Sequence, residues 1–228
     1  MRGMSRYLKI HRITVARKKA FLAIQARKKL EVQLKKYLDA PITFIQFDEQ
    51  ESFEHSKMKP LSIALAVHGK TREILGAKVS SMPSKGLLAK RSRKKYGPRP
   101  DHRAYGAREL FAEIDKWISP TVEIRSDQNP MYPKWIKNHS KTWVHTTVKG
   151  QRGCIVGGGE LKKVKFDPLF SLNHTCAMNR ANISRLFRKT WNTTKCKERL
   201  EDHLYIYAVR HNKKIQRELA IKQARRAS

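Results

Sequence analysis

The chain has 228 residues, enough for one domain with a sizeable core and short appendages. Its 50 Lys and Arg stand against 19 Asp and Glu, a formal net charge of +31, while 39% hydrophobic residues argue against disorder throughout. A compact domain repels itself at such a charge, which points to a polyanionic partner and favours nucleic acid over an anionic membrane surface. Four Trp and a continuous series of core-like segments argue against a ribosomal protein. No apolar run approaches the ~18 residues of a membrane span. The stretch MRGMSRYLKIHR lacks the apolar segment of a signal peptide, so the expectation is a cytoplasmic, nucleoid-associated protein. Cys154, Cys176 and Cys196 are too far apart for a zinc ribbon or a disulfide framework.

Residues 1–40 carry twelve Lys or Arg against Glu31 and Asp39. Ala16, Ala20 and Ile24 step by four, as do Leu30, Leu34 and Leu38, which predicts helix. A turn near His11 followed by a basic helix opened by Thr14 has the shape of a partial helix-turn-helix, with Thr14, Arg17 and Lys18 facing DNA; the alternative is a solvated basic helix packed on the domain. A second unit, 41–228, begins with strand candidates at 42–47, 61–67 and 72–79, the last two joined by a Gly-Lys turn that suggests a hairpin. Residues 85–108, with nine Lys or Arg against one acid and scattered Pro and Gly, read as a mobile basic loop. An amphipathic helix follows at 108–118, then a strand at 121–125, a short helix at 130–139 and a strand at 142–148. Gly- and Lys-rich residues 149–166 lead to helices at 170–190 and 197–226. This α/β series resembles the RNase H-like order, a mixed five-stranded sheet flanked by helices.

Two acids occupy informative places. Asp48 is read as ending the first strand and Asp127 as following the fourth, and in that order the two strands are neighbours. Two carboxylates at one spot repel unless a cation lies between them. Mg²⁺ (or Mn²⁺) accepts such hard oxygen ligands and keeps waters for phosphodiester chemistry. Glu49, Glu51 and Glu54 read as surface charges, and Trp135, Trp143 and Trp191 as core or lid residues.

FDEQESFEHSKMKPLSIALAV, SDQNPMYPKW, GGGELKKVKFDPLFSLNHTCAMNRANISRLFRKTWNTTK and RLEDHLYIYAVRHN resemble, in the expected order, blocks of a bacterial insertion-sequence transposase family. That family belongs to the DDE superfamily, whose fold is RNase H-like. The resemblance covers about residues 5–212. It implies metal-dependent DNA cleavage and strand transfer at insertion-sequence ends by a homo-oligomer on DNA, with Asp48 and Asp127 as the first two metal ligands. It also implies a third position near the start of the 170–190 helix, where the chain has Asn173 followed by His174. Asn173 on a rigid helix is favoured as third ligand; Glu160, 33 residues after Asp127 in a Gly-rich stretch, is its rival. Asp167, followed by Pro168, reads as a helix cap. His145 and His174 read as packing or hydrogen-bonding residues, and His174 alone is also carried as a candidate catalytic residue. Arg180, Arg185 and Arg188 are expected on one helix face gripping phosphates. The third-position amide and the incomplete N-terminal DNA-binding region leave a second reading, a non-catalytic DNA-binding remnant.

Overall fold

A computed structural model describes residues 2–149, 167–187 and 192–227. Its centre is a five-stranded sheet made of β1 (Ile42–Phe53), β2 (Pro60–His68), β3 (Ile74–Ser81), β4 (Ile118–Ser126) and β5 (Val144–Thr147), in the order β3-β2-β1-β4-β5. β1, β2 and β3 pair antiparallel, whereas β4 is parallel to β1 and β5 parallel to β4. β2 is buried from Leu61 to Val67, as expected of a strand covered on both faces. The β2–β3 connection closes tightly because Gly69 leaves room for Phe44; a Cβ there would lie 2.2 Å from the ring.

The helices are α1 (Arg2–Tyr7), α2 (Arg12–Leu34), α3 (Leu88–Tyr96), α4 (Arg103–Ile114), α5 (Tyr132–His139), α6 (Phe170–Asn182) and α7 (Lys197–Ala227). α4 buries Ala107, Leu110, Phe111 and Ile114 against the sheet, and approaches closely where Gly106 faces Ser80. α6 is held by a polar ladder on one face of β1. Gln46 Nε2 donates to Pro168 O and Gln46 Oε1 accepts from Leu172 N, each at 2.9 Å. Gln50 Nε2 donates to Cys176 O at 3.1 Å, and Gln50 Oε1 accepts from Asn179 Nδ2 at 3.3 Å. These buried amides would cost stability unpaired, so the ladder fixes the register of α6 on β1.

α7 closes the outer edge of β3. Asn212 Oδ1 accepts from Ile74 N at 2.8 Å while its Nδ2 donates to Ile74 O at 2.9 Å, as a neighbouring strand would. Val79 N donates to Glu201 Oε2 at 3.1 Å. The edge is thereby removed as a pairing template. Beside it, the fully buried Glu73 accepts from Lys36, Tyr37, Thr71 and Gln216, which outweigh burial and hold its carboxyl below the usual range.

α2 packs along α7, and its buried residues are Val15, Ala23, Ala26, Leu30 and Leu34. This stripe differs from the one read by steps of four: Ile24 and Leu38 are exposed, and Lys19 occupies the buried face through Asp202 and Arg199 O. Thr14 does not open the helix, which starts at Arg12 behind the cap His11. Other boundaries also move. Residues 85–108 are not a loop but contain α3 and the start of α4. β1 continues past Asp48 to Phe53 because Glu49–Phe53 pair with β2. α6 ends at Asn182, since Ile183 turns extended and inserts into the core.

Candidate metal site

β1 and β4 are in parallel register at Gln46↔Arg125. Two residues further along each segment stand Asp48, in β1, and Asp127, one residue past the end of β4, and the two strands run ~4.8 Å apart. β4 ends at Ser126, so Asp127 leaves the sheet at the level of Asp48. Ser126 Oγ, bonded to Asp127 O at 2.9 Å and to His145 Nε2 at 2.8 Å, anchors the turn, and Asn129 N donates to Asp127 Oδ1 at 3.0 Å. Asp48 therefore sits in mid-strand against β2 but at the exit of the parallel pair.

Asp48 Oδ1 accepts from Tyr132 Oη and from Glu49 N, each at 2.7 Å. Tyr132 opens α5, is buried, and packs against Phe47 and Trp135 at 4.9 and 5.5 Å between ring centroids. Burial pushes the Asp48 carboxyl up to about 6, with the Asp127 charge adding to it and the Tyr132 and Glu49 hydrogen bonds opposing. Burial and the Asp48 and Glu49 charges raise the Tyr132 phenol, which stays a donor.

α6 lies over this spot. Cys176 and Arg180 both interact electrostatically with Asp48's surroundings: burial, then the Asp48 charge, pushes the Cys176 thiol up to about 12, and Arg180 lowers both groups. Asn173 falls on the same stripe, at i, i+3 and i+7 with those two residues. It is exposed, and its Nδ2 donates to Asp167 Oδ2 at 2.9 Å. Asp167 is not the cap expected of it: the helix starts at Phe170 behind Leu169, and Asp167 Oδ1 instead accepts from Leu169 N at 2.9 Å in the turn before it.

His174 does not join the carboxylates. One residue further round the helix, its ring faces the β2–β3 connection, with both nitrogens 3.4 Å from Arg72 Nη1 and the Phe170 ring tilted against it at 5.5 Å between centroids. Arg185 is not on α6; it lies in the 3-10 turn Ser184–Leu186 and donates Nη1 to Asn192 O and Thr193 O at 3.3 and 3.1 Å, a loop latch that replaces the expected phosphate contact. The expected common face for Arg180, Arg185 and Arg188 thus fails at Arg185, and Arg188, like Glu160 and Trp191, lies outside the described residues. Thr14, Arg17 and Lys18 are exposed near the start of α2, where a partner can reach them. Trp135 and Trp143 are core residues, and Glu49 faces the α4 side, bonded to Ser62 and 3.6 Å from Arg103.

Among the described residues no three His, Cys, Asp or Glu side chains group to hold a metal. The two-carboxylate arrangement nevertheless suits Mg²⁺, which takes one or two carboxylates and fills its octahedron with water and substrate phosphate. Among the described residues no hydrogen bond reaches Asp48 Oδ2 or Asp127 Oδ2, so each carboxylate has an oxygen to offer. Sequence reasoning singled out the acids but not Tyr132, Gln46, Gln50 and Cys176, which hold the acids' surroundings in place; the Tyr-Pro pair opening a helix soon after Asp127 was the available signal. Compared with protein-family models and with curated proteins, the chain finds no match.

Proposed function

We propose that the protein is a metal-dependent DNA-cleaving and strand-transferring enzyme of the DDE transposase kind, on an RNase H-like fold. The observation that carries the reading is the Asp48–Asp127 pair at the exit of parallel strands β1 and β4, in a chain of formal charge +31. The strand order and directions support the fold assignment. Mg²⁺ between the carboxylates would supply activation of the attacking oxygen and stabilisation of the leaving one. The chain's own contribution is positional. Tyr132 and Glu49 N fix Asp48 Oδ1 and so the direction of Oδ2, Asn129 N does the same for Asp127, and Arg180 adds positive charge beside the pair where a phosphate would bind. Lys and Arg on the surface supply most of the affinity for DNA, and a homo-oligomer would bring two transposon ends together. No described helix is long and apolar enough to cross a membrane.

The test is cleavage of supercoiled and end-labelled DNA in Mg²⁺ or Mn²⁺. Asp48→Asn and Asp127→Asn should each abolish cutting while DNA binding persists; cutting at the parental rate by both variants would overturn the assignment. The second reading, a non-catalytic DNA-binding remnant, is favoured by the absence of a third acid beside the pair among the described residues. It predicts parental binding with no metal-dependent cutting under any condition.

A further inference from the structure

The structured part of the basic stretch 85–108 is α3. Its cations Lys90, Arg91, Arg93, Lys94 and Lys95 are all exposed, whereas Leu88, Ala89, Ser92 and Tyr96 on the opposite arc are buried or half-buried. Ser92 Oγ donates to Met58 O at 2.6 Å and Ser84 Oγ to the same carbonyl at 3.0 Å, pinning the helix to the β1–β2 turn. That turn adds Lys57 and Lys59, and the Lys59 ammonium lies 4.7 Å from the Tyr96 ring centroid. No α3 cation enters an ion pair among the described residues, unlike Lys19, Lys36 and Lys78 on other elements. Lys90 and Lys94, Arg91 and Lys95, and Arg91 and Lys94 are spaced so that like charges oppose the helix. Such repulsion, without a compensating ion pair among the described residues, is relieved by an external polyanion.

We propose that α3, with Lys57 and Lys59, is a clamp for the phosphate backbone of duplex DNA. An anionic lipid surface fits less well, because a membrane helix turns an apolar face outward, whereas Leu88, Ala89 and Tyr96 of α3 are half-buried on the arc tied to the β1–β2 turn and Leu87 is the exposed apolar side chain beside it. Phe53 ends β1 five residues beyond Asp48, roughly 17 Å at ~3.3 Å per residue. Clamp and carboxylate pair can therefore engage one duplex about five base pairs apart at ~3.4 Å per step. That spacing rests on the metal-site reading; the clamp does not.

The test is binding of a random duplex of about 30 base pairs in EDTA, as log K against log salt. In a variant with all five α3 cations changed to Gln, the slope should flatten by about 3–4, at ~0.9 per phosphate contact. Single Lys94→Gln and Arg91→Gln variants, safe for folding at exposed positions, should each flatten it by up to ~0.9. Circular dichroism and thermal melting confirm that the variants are folded. Asp48→Asn should leave the slope unchanged, so loss of cleavage and loss of the clamp are separable outcomes. A parental slope in the folded single and fivefold variants overturns the proposal. So does a fivefold variant that keeps the parental slope on DNA but no longer binds phosphatidylglycerol vesicles, which would make the surface a lipid site.

Discussion

The Tyr132 hydroxyl donates to Asp48 Oδ1 at 2.7 Å, and the Glu49 N–H that reaches the same oxygen also lies 3.1 Å from that hydroxyl. A buried aromatic on α5 thus fixes one oxygen of a carboxylate on β1 and leaves the other pointing away from both donors. Because the hydroxyl stabilises the charged carboxylate, Tyr132→Phe should raise the Asp48 carboxyl further. A lost hydrogen bond to a charged group is worth ~1.5–3 kcal/mol, part of which the Glu49 N–H retains, so Mg²⁺ affinity by calorimetry should fall about three- to tenfold. Unchanged affinity with an unchanged pH dependence would show that Tyr132 only fills space.

Asp48 itself should weaken the metal-free fold at neutral pH. Its carboxyl stands near 6 in the folded chain against an ordinary 3.8. A raised acid is most stable folded when protonated, so its contribution is fully present below the unfolded value and is lost as pH rises from about 4 to 6. The displacement corresponds to on the order of 2–3 kcal/mol at pH 7. Asparagine keeps an oxygen for Tyr132 and Glu49 N without the charge. Asp48→Asn should therefore raise the melting temperature in EDTA at pH 7.5 by about 4–10 °C, and abolish the rise that the proposed metal site predicts for the parent in Mg²⁺. A lower melting temperature for this variant in EDTA would contradict the burial argument.

On the far side of the sheet the sensitive contact is Asn212 with Ile74. Asn212→Ala leaves a buried N–H and a buried C=O of the β3 edge unpaired, at a cost of ~1–3 kcal/mol for each group. Melting should fall by about 5–15 °C, and hydrogen exchange at Ile74 should accelerate. Parental melting would mean that water or a neighbouring group replaces the amide.

The sequence revealed the apolar frame well and its polar margins poorly. Leu61–Val67 reads as a buried strand because nothing polar but Ser62 interrupts it, and a tight hairpin follows from Gly69. The first strand read as ending at Asp48-Glu49, where the apolar run gives way to polar residues; it continues since Gln50 is satisfied by the Cys176 carbonyl and the Asn179 amide of α6, a tertiary contact that no local pattern carries. α3 was hidden by the surrounding Pro and Gly, although Gly97, capping at φ 73°, followed by Pro98 was a legible helix stop. Asp48 and Asp127 stood out because each directly follows a strand pattern, the apolar 42–47 and the alternating 121–125. His174 was misjudged because adjacency to Asn173 in sequence is ~100° of rotation on a helix, and Arg185 because the helix stops where Ile183 enters the core.

In the proposed metal site, the third donor is decided by comparing Asn173 with Glu160. Asn173 lies on the α6 stripe shared with Cys176 and Arg180, both coupled to Asp48, and α6 is fixed to β1 by Gln46 and Gln50. Its Nδ2 is held by Asp167 at 2.9 Å, which orients the amide and leaves Oδ1 for a cation or a bound water. A neutral amide oxygen adds less attraction than a carboxylate, so Asn173→Ala should weaken Mg²⁺ binding only about five- to tenfold, on the order of 1 kcal/mol. Asn173→Asp adds a full charge and should tighten binding in Mg²⁺, while in EDTA its repulsion with Asp167 should lower the melting temperature. Glu160→Gln should leave Mg²⁺ affinity within about twofold, well below 1 kcal/mol. If instead Glu160→Gln abolishes metal binding and Asn173→Ala leaves it untouched, the ligand comes from the Gly-rich segment and the Asn173 assignment fails.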